Sequence, residues 1–338
     1  MPFSRVSIAS VAALDAPHRV PSSVLEERLA PLFRRLSMPK GVIASLSGIL
    51  ERRFWDEGVA PSDVAARAGE EALRRANVPR ERIGALISTS VCRDYIEPSV
   101  ACLVHRTLGL PSECINFDLG NACLGFVNGM DFVANMIERG DIEYGLVVVG
   151  EGSRYAVQAT IDRLNASGDA RAFADNFATL TLGSGAAAMV LGRSDLVGPN
   201  GHAYRGSVSL AATEYNQLCR GQMDGMITDG QKLLVAGVEL AQRTFERACE
   251  VFGWTPAELA EVVIHQVSRH HTEKLAGALG IDLSKILAIY PEHGNIGPAS
   301  VPMVLAKAEE AGRLTRGDRV ALMGIGSGLN CAMAEIVW

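Results

Sequence analysis

Short runs of apolar residues alternate along the chain with longer stretches in which apolar positions recur every three or four residues. The first pattern predicts buried strands and the second predicts amphipathic helices. Because the two alternate, we expect an α/β protein with parallel or mixed sheets covered by helices. The predicted strands are 3–14, 83–89, 144–150, 185–191, 204–212, 262–266, 286–290, 319–324 and 330–337. The predicted helices include 99–108, 122–139, 231–252, 271–279 and 297–311.

Capping signals predict where three further helices begin. Ser23, with a glutamate three residues on, has the form of a capping box and opens a helix to about residue 35. Ser62 precedes another stretch of helical spacing. Thr255, followed by a proline and a glutamate, predicts a third start.

The stretch from Ile115 to Arg139 joins a short apolar segment, a Gly-containing turn and a helical pattern that is apolar on nearly all sides. Such a helix is expected to be buried, and the pattern puts Cys123 in its first turn. Free N–H groups and the helix dipole favour an anion there, so we expect a lowered pKa and a reactive thiolate. The alternative is an ordinary buried cysteine that acts as a small apolar residue.

An order of elements occurs twice in the chain. Strand, turn, buried helix, Glu-x-Gly and strand are found at 115–150 and again at 287–326. Aligning the glycines that end the two helices puts Cys123 opposite Asn295. Such a repeat indicates two halves of one ancestral unit.

We therefore predict two halves related by a pseudo-twofold axis. The N-terminal half, 1–200, carries the cysteine, and the C-terminal half, 201–338, carries His265 and Asn295. The polar residues at about 153–180 are expected to form an irregular excursion from the core.

Three polar residues of the C-terminal half follow buried strands or lie in a Gly-rich turn: His265, Asn295 and Ser327. A thiol nucleophile that transfers an acyl group needs a base or dipole near its sulfur and donors aimed at the developing oxyanion. Together with Cys123, these residues could meet both needs. Singly, each has a structural alternative, as a satisfied core histidine, a turn asparagine or part of a tightly packed turn.

Composition narrows the classes of protein. The 338 residues are 48% hydrophobic and carry a formal net charge of −6 with no basic run, so nucleic acid is an unexpected partner. Seven cysteines without a CxxC pair or metal-ligand spacing predict no disulfide framework, no metal and a reducing compartment. Apolar runs are too short for a membrane span, and the expected location is the cytoplasm.

The polar motifs together resemble a known family. GNAC at 120–123, HQVS at 265–268, EHGNIGPASVP at 292–302 and GIGSGLN at 324–330 are similar to the thiolase superfamily, in the β-ketoacyl-acyl-carrier-protein synthase III branch. The resemblance covers nearly the whole chain. It implies a duplicated thiolase fold of αβαβα layers in which mixed sheets enclose buried helices.

The resemblance also implies roles for individual residues. Cys123, His265 and Asn295 match the triad that forms an acyl-enzyme and performs a Claisen condensation. The backbone N–H groups of Cys123 and Ser327 match the oxyanion hole. Acyl-CoA thioesters are the implied substrates, and no metal or redox cofactor is implied.

Four positions depart from the synthase III pattern. Ser268 stands where asparagine is expected, and Val42 and Leu46 stand where a tryptophan and an arginine hold the adenine of coenzyme A, which leaves adenine binding open. Glu97 replaces an apolar residue before Pro98. Condensing two ordinary acyl thioesters requires removal of an α-proton, and a carboxylate is a suitable base.

With SVCRDYIEPS at 90–99, the motifs are most similar to the condensing enzymes that begin bacterial long-chain olefin biosynthesis. In that family the glutamate matching Glu97 acts from the partner subunit of a homodimer, the substrates are two long-chain acyl-CoAs, and later pathway enzymes consume the product. Without the resemblance, Glu97 is an ordinary solvated loop carboxylate.

Three alternatives stay open at the level of sequence. A decarboxylating synthase III would extend acyl-CoA with malonyl-carrier protein. A catalytically inactive thiolase-fold subunit would serve as a dimer scaffold. Thioesterase-like hydrolysis would release free acid.

Overall fold

The computed structural model describes residues 2–338, and its strands follow the predicted alternation with helices. The strands are β1 (Val6–Asp15), β2 (His18–Pro21), β3 (Glu51–Phe54), β4 (Ile83–Ser88), β5 (Ile115–Asp118), β6 (Tyr144–Glu151), β7 (Gly185–Arg193), β8 (His202–Ala211), β9 (Cys219–Gln222), β10 (Gly225–Thr228), β11 (Leu259–Ile264), β12 (Arg319–Gly326) and β13 (Asn330–Val337).

The helices are α1 (Ser22–Arg28), α2 (Ala30–Leu36), α3 (Val42–Ser47), α4 (Pro61–Ala76), α5 (Val100–Leu108), α6 (Gly125–Arg139), α7 (Arg154–Ser167), α8 (Ala170–Leu180), α9 (Ser194–Val197), α10 (Gly230–Phe252), α11 (Arg269–Leu279), α12 (Tyr290–His293) and α13 (Ser300–Glu310).

Nine strands form one mixed sheet in the order β11-β12-β13-β8-β1-β7-β6-β4-β5. The two central strands, β1 and β8, pair through Ser7 with Ala203. Moving outward from either central strand, the pairings run antiparallel, antiparallel and then parallel. The predicted repeat is thus visible as one pairing pattern on both sides of the centre. The division at residues 200 and 201 stays a prediction, which this pattern favours.

Three apolar cores give the layers. In the first, α6 and α13 pack against both the N-terminal and the C-terminal strands of the sheet. The second packs α4 and α5 outside the N-terminal strands, and the third packs α10 and α11 outside the C-terminal strands. The helices and strands therefore alternate in five layers, with α6 and α13 as the buried central pair. This burial follows from the apolar sides of α6.

The predicted strand at 286–290 is wrong. Its backbone N–H groups at Ile289 and Tyr290 bond to the side-chain Oε1 of Gln266, at 2.8 and 3.0 Å. Because a side chain takes these donors, no strand ladder forms, and α12 begins at Tyr290. The C-terminal half consequently lacks a counterpart of the edge strand β5.

One predicted capping box and one predicted helix start are also wrong, although the helix predicted near Ser23 does form, as α1 from Ser22. Glu26 uses its carboxylate for the N–H groups of Gly41 and Ile43, so no capping box forms with Ser23. Thr255 Oγ1 donates to the Glu258 carboxylate within a turn, and β11 begins one residue later. Lys285 Nζ also donates to the carbonyls of Pro256 and Ala257 at 2.8 and 2.9 Å. In both cases contacts that are distant in sequence thus outcompete the local signal.

The excursion at 153–180 does leave the sheet, but it is helical rather than irregular. It consists of α7 and α8, which pack on α1 and α2 in a fourth apolar core. Within residues 2–338, no helix is long and apolar enough to cross a membrane.

Candidate active site

A cavity of about 290 Å³ brings together four of the five predicted site residues. Cys123, His265, Asn295 and Ser327 all line it. The rest of its wall is mostly apolar, as expected for a site that holds an acyl chain. Apolar lining residues include Leu46, Phe177, Met226, Leu233 and Leu234.

Cys123 lies in the turn before α6, not in the first turn of the helix as predicted. The N–H groups of Leu124 and Gly125 bond to the carbonyls of Asn121 and Ala122, and Ala122 has a φ of 45°. The helix begins at Gly125, where a Cβ atom would lie 2.9 Å from the Thr89 carbonyl oxygen. The turn therefore packs closely against the residue that follows β4, and Cys123 lines the cavity.

The Asn121 side chain fixes this turn from two directions. Its Nδ2 donates to Asn128 Oδ1 at 2.7 Å, and its Oδ1 accepts from Asn330 Nδ2 at 3.2 Å. Asn128 lies on α6 and Asn330 begins β13, so the nucleophile turn is tied to both halves of the chain.

The prediction of a lowered Cys123 pKa is wrong. Burial raises the pKa of the thiol to about 12, and the nearby Cys219 and Glu151 act in the same direction, against a hydrogen bond from the cysteine's own backbone. Desolvation therefore outweighs the backbone dipole that the sequence argument relied on. In the resting protein the sulfur carries its proton.

His265 follows β11, and its backbone N–H continues the strand by bonding to the Met323 carbonyl at 2.8 Å. Burial lowers the pKa of its imidazole to about 3, with a further contribution from His271. The ring is therefore neutral and can accept a proton at one nitrogen while donating from the other. Among residues 2–338, Nδ1 has no hydrogen-bond partner.

Asn295 is held by its backbone and by its side chain. Its N–H donates to the Thr181 carbonyl at 2.9 Å, and its own carbonyl accepts from Gly183 N–H at 2.8 Å. Its side-chain Oδ1 accepts from Gly297 N–H at 3.0 Å. With the oxygen occupied in this way, the amide NH₂ is the group left to donate to a ligand.

Two contacts of Asp15 hold the turn that carries Asn295. His293 bonds through Nε2 to Asp15 at 3.0 Å, and Asp15 also accepts from Lys307 at 3.0 Å. Burial alone would raise the pKa of Asp15, but these hydrogen bonds hold it well below its usual value. A Cβ on Gly183 would lie 1.8 Å from the His293 carbonyl oxygen, so only glycine fits there.

Gln266 is a site residue that sequence reasoning missed. Besides accepting from Ile289 and Tyr290, it donates through Nε2 to the Leu287 carbonyl at 2.6 Å, and its backbone N–H bonds to Ser300 Oγ at 3.0 Å. It thereby joins the strand that presents His265 to the segment that presents Asn295. Its place directly after the histidine was the available signal.

Ser327 lies in the turn between β12 and β13 and lines the cavity. The preceding Gly326 approaches the nucleophile turn so closely that an added Cβ would lie 3.4 Å from the backbone nitrogen of Cys123. The two backbone segments predicted to form the oxyanion hole are therefore neighbours. Their role stays a prediction.

Glu97 lies outside this cavity, on the exposed loop between β4 and α5. Its neighbours Tyr95 and Ile96 are also exposed, Ile96 to 91%. A single chain thus leaves the predicted base on its surface beside apolar side chains. The predicted action of Glu97 across a subunit interface remains a prediction.

Three other expectations concern Ser268, the adenine-binding position at Leu46, and the absence of a metal. Ser268 caps α11, its Oγ accepting from His271 N–H at 3.2 Å. Leu46, at the position where the synthase III pattern has an adenine-binding side chain, lines the cavity and is exposed to solvent. In the part of the chain that the structure describes, no three His, Cys, Asp or Glu side chains group as a metal site; the absence of a cofactor stays a prediction.

Family models match most of the regions that carry the site. Residues 117–205 match the model described as 3-oxoacyl-[acyl-carrier-protein (ACP)] synthase III, and residues 249–338 match the model of its C-terminal part. The protein is a thiolase-fold acyltransferase, and the chain belongs to the 3-oxoacyl-[acyl-carrier-protein] synthase III family. The fold and family expected from the motifs are thereby confirmed.

Within that family the chain is similar to OleA. It is 51% identical over 339 residues to the acyl-CoA:acyl-CoA alkyltransferase of Xanthomonas campestris pv. campestris and 39% identical over 349 residues to the Shewanella oneidensis protein of the same name, each covering 100% of both chains. The crystal structure of cerulenin-bound Xanthomonas campestris OleA superposes with a TM-score of 0.98, covering 100% of this chain and 98% of that one.

A cysteine-to-serine variant of the same OleA, solved with lauric acid and lauroyl-CoA, superposes with a TM-score of 0.96 at 51% identity. It covers 99% of this chain and 100% of that one.

Proposed function

We propose that this protein joins two long-chain acyl-CoAs by a non-decarboxylative Claisen condensation to a 2-alkyl-3-oxoacyl-CoA, the first step of olefin biosynthesis. The observation that carries the proposal is that Cys123, His265 and Asn295 line one mostly apolar cavity together. The names of the two alkyltransferase relatives support the same substrates.

In the first half-reaction, the Cys123 sulfur attacks the carbonyl carbon of one acyl-CoA while its proton passes to the neutral His265. The carbon–sulfur bond to coenzyme A then breaks, and the proton leaves with the coenzyme A thiol. This restores the neutral imidazole. The raised pKa of Cys123 requires this proton transfer to accompany the attack.

In the second half-reaction, Glu97 of the partner subunit removes an α-proton from the second acyl-CoA. His265 and Asn295 donate hydrogen bonds to the enolate oxygen, which lowers the energy of the carbanion. The carbanion attacks the Cys123 thioester, and the backbone N–H groups of Cys123 and Ser327 stabilise the oxyanion. This attack forms the new carbon–carbon bond. Collapse of the tetrahedral intermediate then breaks its bond to the Cys123 sulfur, which takes up a proton while Glu97 releases the one it removed.

Solved variants of Xanthomonas campestris OleA support these assignments. They include replacements of a glutamate, a cysteine and a histidine. The sequence separations between those three positions equal the separations between Glu97, Cys123 and His265 in this chain. We propose that the matching residues act in the same reaction.

The proposal includes a homodimer, cytoplasmic location and downstream enzymes that consume the product. Exposed Glu97 and Ile96 on one loop are consistent with burial of that loop against a second copy.

Incubation with myristoyl-CoA alone tests the function. We expect coenzyme A release, a myristoyl adduct on Cys123 by intact-protein mass spectrometry, and a condensed ketone after workup. Cys123→Ala should abolish all three. A requirement for malonyl-carrier protein would indicate the decarboxylating alternative, free myristic acid would indicate hydrolysis, and inactivity of the folded wild type would indicate a scaffold.

A further inference from the structure

A buried carboxyl group, Glu151, lies at the end of β6, and no step above uses it. It is 6% exposed and ends a strand whose eight residues are all buried. Charged side chains are rarely buried unless they are paired. The hydrogen-bond partners of the Glu151 carboxylate therefore indicate its role.

Glu151 binds the start of the loop that carries Glu97. Its Oε1 accepts from the Val91 N–H at 2.7 Å, and its Oε2 accepts from the Cys92 N–H at 3.4 Å. One residue earlier on the same strand, Gly150 N–H donates to Ser90 Oγ at 2.9 Å. The loop is thus tied to the end of β6 by consecutive residues.

The same carboxyl group lies near the turn after Asn295, and its charge acts on Cys123. A Cβ on Gly297, in the turn after Asn295, would lie 3.7 Å from Oε2. The charge of Glu151 also contributes to raising the pKa of the Cys123 thiol. One side chain therefore holds the root of the loop that bears the base, lies beside the turn after Asn295, and acts through its charge on the Cys123 thiol.

Two further carboxylates hold the rest of the loop. Asp94 accepts from Ser62 Oγ at 2.6 Å, and Asp118 accepts from the N–H groups of Val100 and Ala101 at 3.0 and 2.8 Å. The exposed Glu97 lies between these two attachments, whereas Glu151 holds the loop at its root.

We propose that Glu151 is a positioning residue, whose carboxylate keeps the loop bearing Glu97 in the geometry for α-proton removal and is dispensable for acylation of Cys123. This inference rests on the proposed function, in which Glu97 acts only after the acyl-enzyme has formed. Hydrogen bonds from backbone N–H groups to a carboxylate are stronger than those to a neutral acceptor. Loss of the charge therefore loosens the loop at its root.

The effect on the first half-reaction has the opposite sign. Because the Glu151 charge raises the pKa of Cys123, its removal favours the thiolate. Acylation should then be unchanged or faster. A merely structural role for Glu151 would slow both half-reactions together.

The test compares Glu151→Gln with the wild type, measuring both the burst of Cys123 acylation and the rate of ketone formation from myristoyl-CoA. We expect condensation to fall about tenfold or more, with acylation equal to or faster than in the wild type. The matched control is Glu335→Gln, which neutralises another buried glutamate, bound to Trp254 and Arg319 away from the cavity. It should leave the ratio of the two rates unchanged.

A second measurement needs no variant. Burial raises the pKa of Glu151 to about 7, against hydrogen bonds from Cys92 and Val91; the thiols of Cys92 and Cys123 are the titratable groups that face it. As pH rises through 7 the carboxyl ionises and its bonds to the loop strengthen. The ratio of condensation to acylation in the wild type should therefore rise between about pH 6 and 8.

Two results would overturn the proposal while the wild type still condenses myristoyl-CoA. One is an equal change, or none, in the two half-reactions of Glu151→Gln. The other is a ratio that stays flat with pH in the wild type. A wild type that forms no ketone would instead remove the proposed function itself.

Discussion

Cys123 and His265 line one cavity as an uncharged pair, a thiol whose pKa burial raises to about 12 and an imidazole whose pKa burial lowers to about 3. An enclosed, mostly apolar site disfavours both ions for the same reason, since neither is fully solvated there. We therefore expect the Cys123 thiol to be unreactive when no substrate is bound. In the proposed reaction it is activated by proton transfer to His265 when an acyl-CoA binds.

This pair makes a prediction about alkylation. Because the pKa of Cys123 lies far above neutral, its labelling by iodoacetamide should rise about a hundredfold between pH 7 and 9 without a plateau. The folded enzyme would be labelled and then digested, and peptide mass spectrometry would measure the labelling of Cys123. The exposed Cys102 serves as the internal reference for reagent reactivity. A plateau of Cys123 labelling below about pH 8 would instead show a stabilised thiolate.

At the scale of elements, the site depends on close contact between the 181–183 segment and the turn that carries Asn295. Gly183→Ala would bring a Cβ into the His293 carbonyl oxygen, at 1.8 Å in the unrelaxed structure. We expect a loss of about 3 kcal/mol or more in the free energy of unfolding, because the segment can separate only by breaking its bonds to Asn295.

Urea denaturation measures this loss. Gly277→Ala is the matched control, because its added Cβ meets nothing within 4 Å in the described structure and its helix favours alanine. The control should be neutral or slightly stabilising. Equal midpoints for the two variants would contradict the account of the Asn295 turn.

The same elements show what the sequence could predict. Periodicity identified α6, α10 and the long strands because each buries an apolar face that is continuous in the sequence. Motif order identified Cys123, His265 and Asn295, which three separate elements bring to one cavity. The failures occurred where one long-range side chain decides the outcome.

Gln266 is the clearest of these cases, because its amide takes the backbone donors that an apolar run at 286–290 would have used for a strand. Glu26 likewise binds backbone N–H groups of residues 41 and 43, well beyond its own helix. The prediction of a lowered pKa for Cys123 failed for a related reason. The local sequence pattern indicates the backbone dipole near the sulfur, but it does not indicate how deeply the fold buries the thiol.

At the scale of the whole molecule, β5, which has no counterpart in the C-terminal half, lies at one edge of the sheet, and no other strand within residues 2–338 pairs with its outer side. Ile115 on that strand, and Val91, Tyr95 and Ile96 on the loop that carries Glu97, are exposed apolar residues. An unpaired strand edge beside apolar side chains is a suitable surface for a second copy. It agrees with the proposed entry of Glu97 into the site of a partner subunit.

A mixed-dimer experiment tests that transfer. Glu97→Ala and Cys123→Ala should each be inactive in condensation alone. If Glu97 acts across a twofold interface, a hybrid dimer regains one complete site, formed by Cys123 of the first variant and Glu97 of the second. Unfolding and refolding an equimolar mixture should then restore about one quarter of the wild-type condensation rate, because half of the dimers are hybrids with one working site each.

The comparison with unmixed samples isolates the interface. Each variant refolded alone should stay inactive, and Glu97→Ala alone should still form the Cys123 acyl-enzyme, since Glu97 acts only in the second half-reaction. A mixture that forms dimers yet recovers no condensation would mean that Glu97 serves the cavity of its own chain or none. Recovery in the mixture requires the base and the nucleophile to come from different subunits.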